Sequence, residues 1–151
     1  MKVFLPCKHR EGTVCFYGGK CMKEDQIYQA NLDNVSTNEK YEYIGSCSTK
    51  MRDRYENHKS DFKNIQRRTR STLAEQVWKI KENNCEFNIE WKSLETSKSY
   101  KPGANKCKLC LREIYLILFK SNEEGRIGLN KRSELWGFCR HRNKWKVKHY
   151  I

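Results

Sequence analysis

A phenol, a guanidinium and an imidazole occur at spacings that can bring them together in the stretch 41–62, YEYIGSCSTKMRDRYENHKSDF. The aromatic and β-branched run around Tyr43 predicts a short strand, which ends at Gly45 and is followed by a helix. On that helix Arg54 and His58 stand one turn apart, because residues four apart share a helix face. A strand and a helix joined in this way can hold a phenol and a cation over one phosphate group.

The same helix has an apolar face, which predicts packing against a core. Its members recur at the 3.6-residue period and are Met51, Tyr55, His58 and Phe62. The stretch therefore also fits a plain strand–turn–helix unit, in which Tyr43 belongs to the core and Arg54 is solvated. Because short motifs often match by chance, the rest of the chain must decide between the two interpretations.

A single carboxylate in an apolar helix is the second sign of chemistry. The segment CKLCLREIYLILF predicts a helix over 109–119 that is apolar nearly all round and therefore buried, with Arg112 and Glu113 as exceptions. A buried ionised carboxylate is costly unless it is paired or binds a cation. Glu113 is thus either a metal ligand or the partner of a basic side chain, such as Arg54 or a lysine.

The spacing of cysteine and histidine predicts two zinc sites. The eight cysteines accompany no secretory-signal pattern in MKVFLPCKHR, so we expect thiol ligands rather than disulfides. The predicted ligands of the first site are Cys7, His9, Cys15 and Cys21, and those of the second are Cys107, Cys110, Cys139 and His141. Because each set fills the four positions of tetrahedral zinc, both ions are expected to be structural. Cys47 and Cys85 stand outside both sets and are expected to be buried small side chains.

Three strands and three helices are expected to position these groups. Alternation and helical periodicity predict strands near 26–32, 41–45 and 86–92 and helices near 50–62, 72–83 and 109–119. The first two strands are expected to pair antiparallel, which places Tyr28 and Tyr43 side by side on one face. The predicted fold class is α+β, a small three-stranded antiparallel sheet flanked by helices.

Narrower predictions concern the second helix, the connector before it and the third strand. Glu75 lies opposite the apolar stripe of the second helix and is expected to be a solvated surface acid. The basic connector 64–70, NIQRRTR, fits either a phosphate-contacting strip or a solvated loop. The residues of the third strand that should point inward are Phe87, Ile89 and Trp91.

The composition favours a basic protein that binds a polyanion. The 151-residue chain has 31 Lys and Arg against 18 Asp and Glu, a net charge of +13, and its acids are interspersed with its bases. Nucleic acid is the default partner for such an excess of positive charge. Hydrophobic residues make up 37% of the chain, and no run of about 18 apolar residues occurs, so no membrane partner is expected.

Short motifs in a fixed order give the chain a resemblance to a nuclease family. The pair IY at 27–28 and the triplet YIG at 43–45, followed by Arg54 and His58, resemble the GIY-YIG nucleases, with Gln26 where that family usually has Gly. The resemblance implies the GIY-YIG type of α+β fold.

More narrowly, the chain resembles the endonuclease domain of Penelope-like retroelements over roughly residues 7–146. That domain also has a Cys-rich knuckle before its first Tyr motif, a Cys-x-x-Cys-Leu-x-Glu helix and a Cys-Arg-His-Arg-Asn-Lys close. The corresponding stretches here are CKLCLRE at 107–113, LNKRSEL at 129–135 and CRHRNKW at 139–145. His9 stands where a cysteine is expected, a change that preserves a metal ligand.

The resemblance implies a metal-dependent DNA endonuclease. Glu113 would hold Mg²⁺ or Mn²⁺ at the scissile phosphate. Tyr28 would act as general base on the attacking water, with its pKa lowered by nearby cations. The products would be a 5′ phosphate and a 3′ hydroxyl, the end that a reverse transcriptase can extend.

Four further residues would support this chemistry by the same resemblance. Arg54 would neutralise charge developing on the phosphate, and His58 would assist by hydrogen bonding. Tyr43 would orient the water or the phosphate, and Asn130 would fix the geometry of the tyrosine or of the phosphate.

The expected organisation is a zinc knuckle over 1–24 packed on a nuclease domain over 25–151, which ends in a basic C-terminal extension. The expected partners are DNA, bound with weak sequence preference, and a fused or associated reverse transcriptase. The expected role is retroelement integration. The expected location is nuclear if the chain derives from a eukaryotic retroelement, and otherwise intracellular.

A different function fits most of the same features. A zinc-stabilised basic module that binds nucleic acid without cutting it would account for the ligands, the charge and the aromatic residues. Glu113 distinguishes the two, because a binding module has no use for a carboxylate within an apolar helix. A disulfide-rich secreted protein would need a signal peptide, which the pattern does not favour.

Overall fold

The computed structural model describes residues 7, 9, 13–98, 107–120 and 125–131. The elements in chain order are β1 (Gln26–Asn34), β2 (Lys40–Cys47), α1 (Met51–Lys63), a 3₁₀ turn (Ile65–Arg67), α2 (Thr72–Glu82), β3 (Phe87–Thr96), α3 (Lys108–Phe119) and β4 (Ile127–Gly128). None of the helices in the described part of the chain is long and apolar enough to cross a bilayer.

The sheet is four-stranded and mixed, with the order β3-β1-β2-β4. The central strand β1 pairs antiparallel with β2, as predicted, and also antiparallel with β3, whereas β4 pairs in parallel with β2. The prediction of a three-stranded antiparallel sheet is therefore wrong. Its α+β class is confirmed.

The fourth strand is two residues long and is defined by contacts distant in sequence. Arg126 Nη1 donates to Asp33 Oδ1 at 2.6 Å and to the carbonyl of Tyr41 at 3.2 Å. The N–H of Leu129 donates to the carbonyl of Glu42 at 2.8 Å. Two residues cannot display an alternating pattern, so no periodicity in the sequence marks this strand.

The two faces of the sheet carry separate apolar clusters. Tyr28, Leu32 and Tyr43 belong to the face covered by α1 and α2, whereas Ile27 and Ile44 belong to the face covered by α3. Adjacent residues of one strand point to opposite faces, which explains why neighbours such as Ile27 and Tyr28 fall into different clusters. The sheet is thus buried on both faces by helices.

Helix α3 is less buried than its composition predicts. Leu109, Glu113 and Ile117 are buried, but Leu118 is 57% exposed and Phe119 is 72% exposed. The predicted all-round burial is wrong because only one side of this helix packs on the sheet, where it contacts β2 and β1. Within the described residues, the other side remains accessible.

The segment before β1 is packed onto the sheet and α1. Tyr17 is buried, and the ring of Phe16 stacks on that of Tyr55 with centroids 3.7 Å apart. Gln26 is also buried, and its Oε1 accepts hydrogen bonds from Tyr17 Oη at 3.1 Å and from Ser93 Oγ at 2.9 Å. Gln26 therefore links the N-terminal segment to β3.

The structure also shows the N-terminal cap of α2 and the surroundings of Glu75, Cys47 and Cys85. Ser71 caps α2 by accepting a hydrogen bond from the N–H of Ala74 at 3.0 Å. Glu75 is not simply solvated, because Lys131 Nζ lies 2.9 Å from its carboxylate. Cys47 is buried as expected, whereas Cys85 is half-buried.

Candidate active site and metal cluster

The two tyrosines of the candidate site lie on one face of the sheet. Tyr28 faces Gly45 across the β1–β2 pair, and Tyr43 faces Ala30 two residues along. The Tyr28 and Tyr43 rings have centroids 6.5 Å apart, which is within the range of aromatic contacts. The antiparallel pairing predicted from the sequence, in the register that the structure shows, thus brings these two phenols together.

Gly45 makes room for the Tyr28 ring. A Cβ added at this glycine would lie 2.5 Å from Cζ of Tyr28, and closer still to the hydroxyl oxygen. No side chain larger than hydrogen fits there unless Tyr28 moves. The glycine of the YIG triplet is therefore required by the packing of the first tyrosine.

Gly45→Ala is expected to destabilise the fold by about 1–3 kcal/mol, because overpacking of a closely packed core has this cost. Urea unfolding monitored by circular dichroism measures the change. Tyr28→Ala in the same background should recover part of the loss, since it removes the ring that the new methyl group would meet. An unchanged unfolding midpoint for Gly45→Ala would contradict this packing.

The hydroxyl of Tyr28 contacts both a guanidinium and an imidazole. Arg54 Nε donates to Tyr28 Oη at 3.1 Å, and His58 Nε2 lies 2.7 Å from the same oxygen. Both partners come from α1, whose four-residue spacing points them to the same side. Tyr28 and His58 are fully buried.

The burial of Tyr28 raises the pKa of its phenol and so disfavours the deprotonated form that a general base requires. Burial raises the pKa of its phenol well above the ordinary value, and the positive charge of Arg54 lowers it by a smaller amount. The phenol is therefore protonated at neutral pH in the structure. Arg54 does lower this pKa, as expected of a nearby cation, but burial raises it by more.

His58 is held in its neutral form. Burial, and then the positive charge of Arg54, lowers the pKa of its imidazole to about 3. A neutral imidazole has one nitrogen that accepts, so it can share a proton with the Tyr28 hydroxyl. Its Nδ1 atom has no hydrogen-bond partner among the described residues.

The depressed pKa of His58 should make stability fall below pH 6.5. The neutral form favoured by folding contributes stability that is present above the ordinary pKa of 6.5 and is lost as the pH falls towards 3, because the unfolded chain takes up a proton that the folded chain does not. We expect the free energy of unfolding to drop by up to ~1.4 kcal/mol per pH unit in this window.

Urea unfolding of wild type and of His58→Gln between pH 6.5 and 5 tests this, since most carboxylates stay ionised in that range. The variant, which cannot take up the proton, should have a flatter pH profile. Equal slopes for both proteins would contradict the burial of a neutral imidazole.

A polar cavity of about 590 Å³ opens beside Arg54, on the flank of α1 that faces the end of β2. We call it the arginine cavity. Its lining combines three arginines, four hydroxyl residues and a single acid, and consists of Ser46, Cys47, Ser48, Thr49, Arg54, Asn57, Asp61, Arg67, Arg70 and Ser71. Arg67 and Arg70 come from the connector 64–70, so this segment adds positive charge to a concave surface.

Glu113 does not line the arginine cavity itself but is linked to it by one hydrogen bond. Its Oε2 accepts from Ser46 Oγ at 2.5 Å, and Ser46 is among the lining residues. Burial raises the pKa of the neighbouring Cys47 thiol to about 11, with Arg54 lowering it and Glu113 raising it. Both charges therefore act at the end of β2, although Glu113 approaches from the face of the sheet opposite to Tyr28.

Asn130 holds the strand that carries Tyr43 rather than the phenol itself. Its Oδ1 accepts from the N–H of Ile44 at 2.8 Å, and its Nδ2 donates to the carbonyl of Ile44 at 2.8 Å. This paired contact extends the β4–β2 interaction by one side chain. The expected role of fixing tyrosine geometry is possible only indirectly, through the backbone next to Tyr43.

The four predicted ligands of the first metal site lie close together. The ligand atoms of Cys7, His9, Cys15 and Cys21 all lie within 4.8 Å of one another. Ligands at ~2.0–2.3 Å from one tetrahedral ion are separated by distances of this order, so the cluster can hold a metal such as zinc. The pairs include Cys7 Sγ and Cys21 Sγ at 2.8 Å and Cys7 Sγ and His9 Nε2 at 2.6 Å.

The protonation of the thiols differs between members of the cluster. Burial raises the pKa of Cys15, but hydrogen bonds led by the N–H of Tyr17 outweigh it and lower the pKa to about 6. Burial and the hydrogen bond with Cys7 raise the pKa of Cys21 to about 12. A bound cation would favour the thiolate form of both.

The cluster is joined to the start of α1. The N–H groups of Met51 and Arg52 donate to the carbonyls of Lys23 and Cys21 at 2.9 and 2.7 Å, which satisfies amides that have no partner within the helix. Arg52 Nη2 also lies 3.2 Å from Cys21 Sγ. The candidate metal cluster therefore helps to fix the helix that carries Arg54 and His58.

Only half of the second predicted zinc site can be assessed. Cys107 and Cys110 are buried at the start of α3, where Cys107 Sγ accepts from the N–H of Cys110 at 3.4 Å. Cys139 and His141 lie outside the described residues. The second zinc site remains a prediction.

Three contributors to the site were not predicted from the sequence. Ser46 lies just beyond the predicted end of the second strand, and its hydroxyl contacts Glu113. Arg52 lies on the ligand cluster, and Gln26 anchors the N-terminal segment. The available signal for Arg52 was its place as a basic residue immediately after the helix start. No feature of the sequence singles out Ser46.

Comparison with protein-family models, with curated proteins and with solved structures gives no match to this chain.

Proposed function

We propose that the protein is a divalent-metal-dependent DNA endonuclease of the GIY-YIG type, resembling that of Penelope-like retroelements. The observation that carries the proposal is the contact of Arg54 Nε and His58 Nε2 with the hydroxyl of Tyr28, beside a cavity lined by three arginines. A buried phenol hydroxyl needs a hydrogen-bond partner, which His58 already supplies, whereas the largely buried charge of Arg54 is costly and is not required for packing. The net charge of +13 and the cavity agree with a phosphodiester substrate.

The carboxylate of Glu113 and the hydroxyl of Ser46 suit a hard cation. Both offer oxygen atoms, the donor type that Mg²⁺ and Mn²⁺ prefer: Ser46 lines the cavity, and Glu113 is hydrogen-bonded to it. When bound there, such an ion would polarise the phosphate and stabilise the leaving 3′ oxygen. Glu113 is thus proposed to hold the ion, with Ser46 orienting its carboxylate.

Arg54 is proposed to be the first contact of the scissile phosphate. It lines the cavity while touching Tyr28, so a phosphate bound by its guanidinium would lie next to the phenol. Tyr28 itself is covered in the structure, so its hydroxyl must be uncovered as Arg54 turns towards the phosphate. Catalytic hydrogen bonds often rearrange in this way when substrate binds.

Tyr28 and His58 are proposed to act as one proton relay. The attacking water gives a proton to Tyr28 Oη while Tyr28 passes its own proton to His58 Nε2, so no isolated phenolate forms. The negative charge of the bound phosphate favours protonation of His58 and offsets the effect of Arg54. The products are a 5′ phosphate and a 3′ hydroxyl, and Tyr43 is proposed to orient the water.

Arg67 and Arg70 are proposed to hold a neighbouring phosphate of the same strand. Their place in the arginine cavity favours the phosphate-contacting interpretation of the connector 64–70 over a solvated loop. Such contacts carry no sequence information, which agrees with weak sequence preference. A role in retroelement integration, with a reverse transcriptase as partner and a nuclear location, follows from the resemblance.

A nicking assay on supercoiled plasmid tests this function. Conversion to the open circle that requires Mg²⁺ or Mn²⁺, with ligatable ends, is the expected result. Binding of the plasmid without any nicking under either metal would instead favour the second candidate, a zinc-stabilised nucleic-acid-binding module. That alternative is favoured by one observation, the complete burial of Tyr28.

A further inference from the structure

A second cavity, about 270 Å³ in volume, opens on the flank of α1 turned away from the arginine cavity. The helix contributes Arg54, Asn57 and Asp61 to one cavity and Tyr55, Lys59, Phe62 and Lys63 to the other. At 100° per residue these two sets point in nearly opposite directions from the helix axis. We call the second cavity the aromatic cleft.

The aromatic cleft combines flat apolar walls with positive charge. It is lined by four aromatic residues, one isoleucine and three lysines: Tyr55, Lys59, Phe62, Lys63, Lys81, Phe87, Ile89 and Trp91. Among the described residues that line it there is no acid. A ligand that matches this lining has a planar apolar part and a negative charge close to it.

The aromatic walls are held in place by contacts with each other. Tyr55 stacks on Phe16 at 3.7 Å and meets the edge of Trp91 at 5.6 Å, with the two planes 87° apart. Lys59 Nζ lies 5.2 Å from the centroid of the Tyr55 ring. A wall that is already ordered binds a planar ligand at a low cost in conformational entropy.

The three lysines differ in their contacts within the protein and in their exposure to solvent. Lys81 Nζ donates to the carbonyl of Phe62 and lies over the Trp78 ring, so it belongs to the wall. Lys63 is exposed and Lys59 is half-exposed at the mouth of the cleft. The charge available to an anion therefore lies at the entrance rather than at the bottom.

We propose that the aromatic cleft binds one unpaired nucleobase of a nucleic acid strand, while Lys59 and Lys63 contact the flanking phosphates. The volume lies just below the ~300–1,000 Å³ of pockets for drug-sized ligands, so it suits one planar ring rather than a larger molecule. Every base has a π face that can stack, so this site is tolerant of sequence.

The base site does not depend on the proposed nuclease activity, because it requires no metal and no cleavage. If both sites act on one strand, the helix between them sets the spacing. A helix is ~10–12 Å across with its side chains, and a stacked strand rises ~3.4 Å per nucleotide. The bound base would then lie about three nucleotides from the phosphate in the arginine cavity.

Fluorescence anisotropy of the full chain, in buffer without Mg²⁺ or Mn²⁺, tests the base site. The probes are an oligothymidylate of roughly 12 nucleotides, an oligouridylate of the same length and an abasic deoxyribose-phosphate strand of equal charge. We expect the base-bearing DNA to bind at least ~5-fold more tightly than the abasic strand. Tighter or equal binding of oligouridylate assigns the site to RNA as well as DNA, and weaker binding restricts it to DNA.

A matched pair of aromatic variants locates the effect. Phe87→Ala should weaken oligothymidylate binding by ~5-fold or more and leave binding of the abasic strand unchanged. Phe119→Ala, which removes a 72% exposed ring on α3, should change neither. If Phe87→Ala does not fold, photocrosslinking of wild type to 5-iodouracil DNA should label Tyr55, Phe87 or Trp91.

Equal affinity of wild type for base-bearing and abasic strands would overturn the proposal. Crosslinks confined to residues outside the aromatic cleft would do the same. Either result would leave the nicking assay unaffected, so a failure of this site and a failure of the nuclease function can be told apart.

Discussion

Glu113→Gln is expected to abolish metal-dependent nicking of supercoiled plasmid while DNA binding stays within about twofold of wild type. The substitution keeps the shape of the side chain and an oxygen for the Ser46 hydroxyl, but it removes the negative charge that would hold Mg²⁺ or Mn²⁺. Because a metal ion contributes several kcal/mol at the transition state, we expect a loss of at least ~100-fold in the nicking rate. Gel quantification of the open circle, together with anisotropy binding, measures the two effects separately.

Glu90→Gln is the matched control, since Glu90 is an exposed acid on β3 and loses the same charge. It should nick at the wild-type rate. Ser46→Ala should retain reduced activity, because the carboxylate loses its orienting hydrogen bond but keeps its charge. Nicking by Glu113→Gln at the wild-type rate would exclude Glu113 as the metal ligand and with it the proposed mechanism.

Loss of the metal from the cluster of Cys7, His9, Cys15 and Cys21 is expected to be the most destabilising change in the molecule. Structural zinc can contribute on the order of 10 kcal/mol in small knuckles. The cluster also fixes the amides of Met51 and Arg52 at the start of α1. We therefore expect Cys21→Ser to lower the thermal midpoint by roughly 10 °C or more, and the same protein to have lost its nicking activity through the displacement of α1.

Cys85→Ser is the matched control, because Cys85 lies outside the cluster and is half-buried. It should melt within a few degrees of wild type. Metal analysis of purified protein decides the number of sites. Two zinc ions per chain would support both predicted sites, and one would favour a single site. If the protein contains no zinc, and all eight thiols react freely without loss of structure, the cluster does not bind a structural metal.

The positions of most elements and the contacts between residues close in the chain could be predicted from the sequence. Periodicity located β1, β2, β3 and all three helices to within a few residues, because it records which side of each element is buried. The antiparallel pairing of β1 and β2 followed from the hairpin and allowed Tyr28 to lie near Tyr43. Four-residue spacing brought Arg54 and His58 to one phenol. The ligands of the first metal cluster were likewise close in sequence.

The surroundings of those groups depend on how the elements pack and could not be predicted from local sequence. The tertiary structure added β4, which is too short to have a pattern, and it left one side of α3 exposed although the composition predicted burial. It also placed Ser46 on Glu113, and Arg67 and Arg70 beside Arg54. These contacts join residues distant in the chain, and their energies depend on how the elements pack rather than on local spacing. For the same reason the pKa of Tyr28, which depends on burial more than on its neighbours in sequence, could not be predicted from the residues alone.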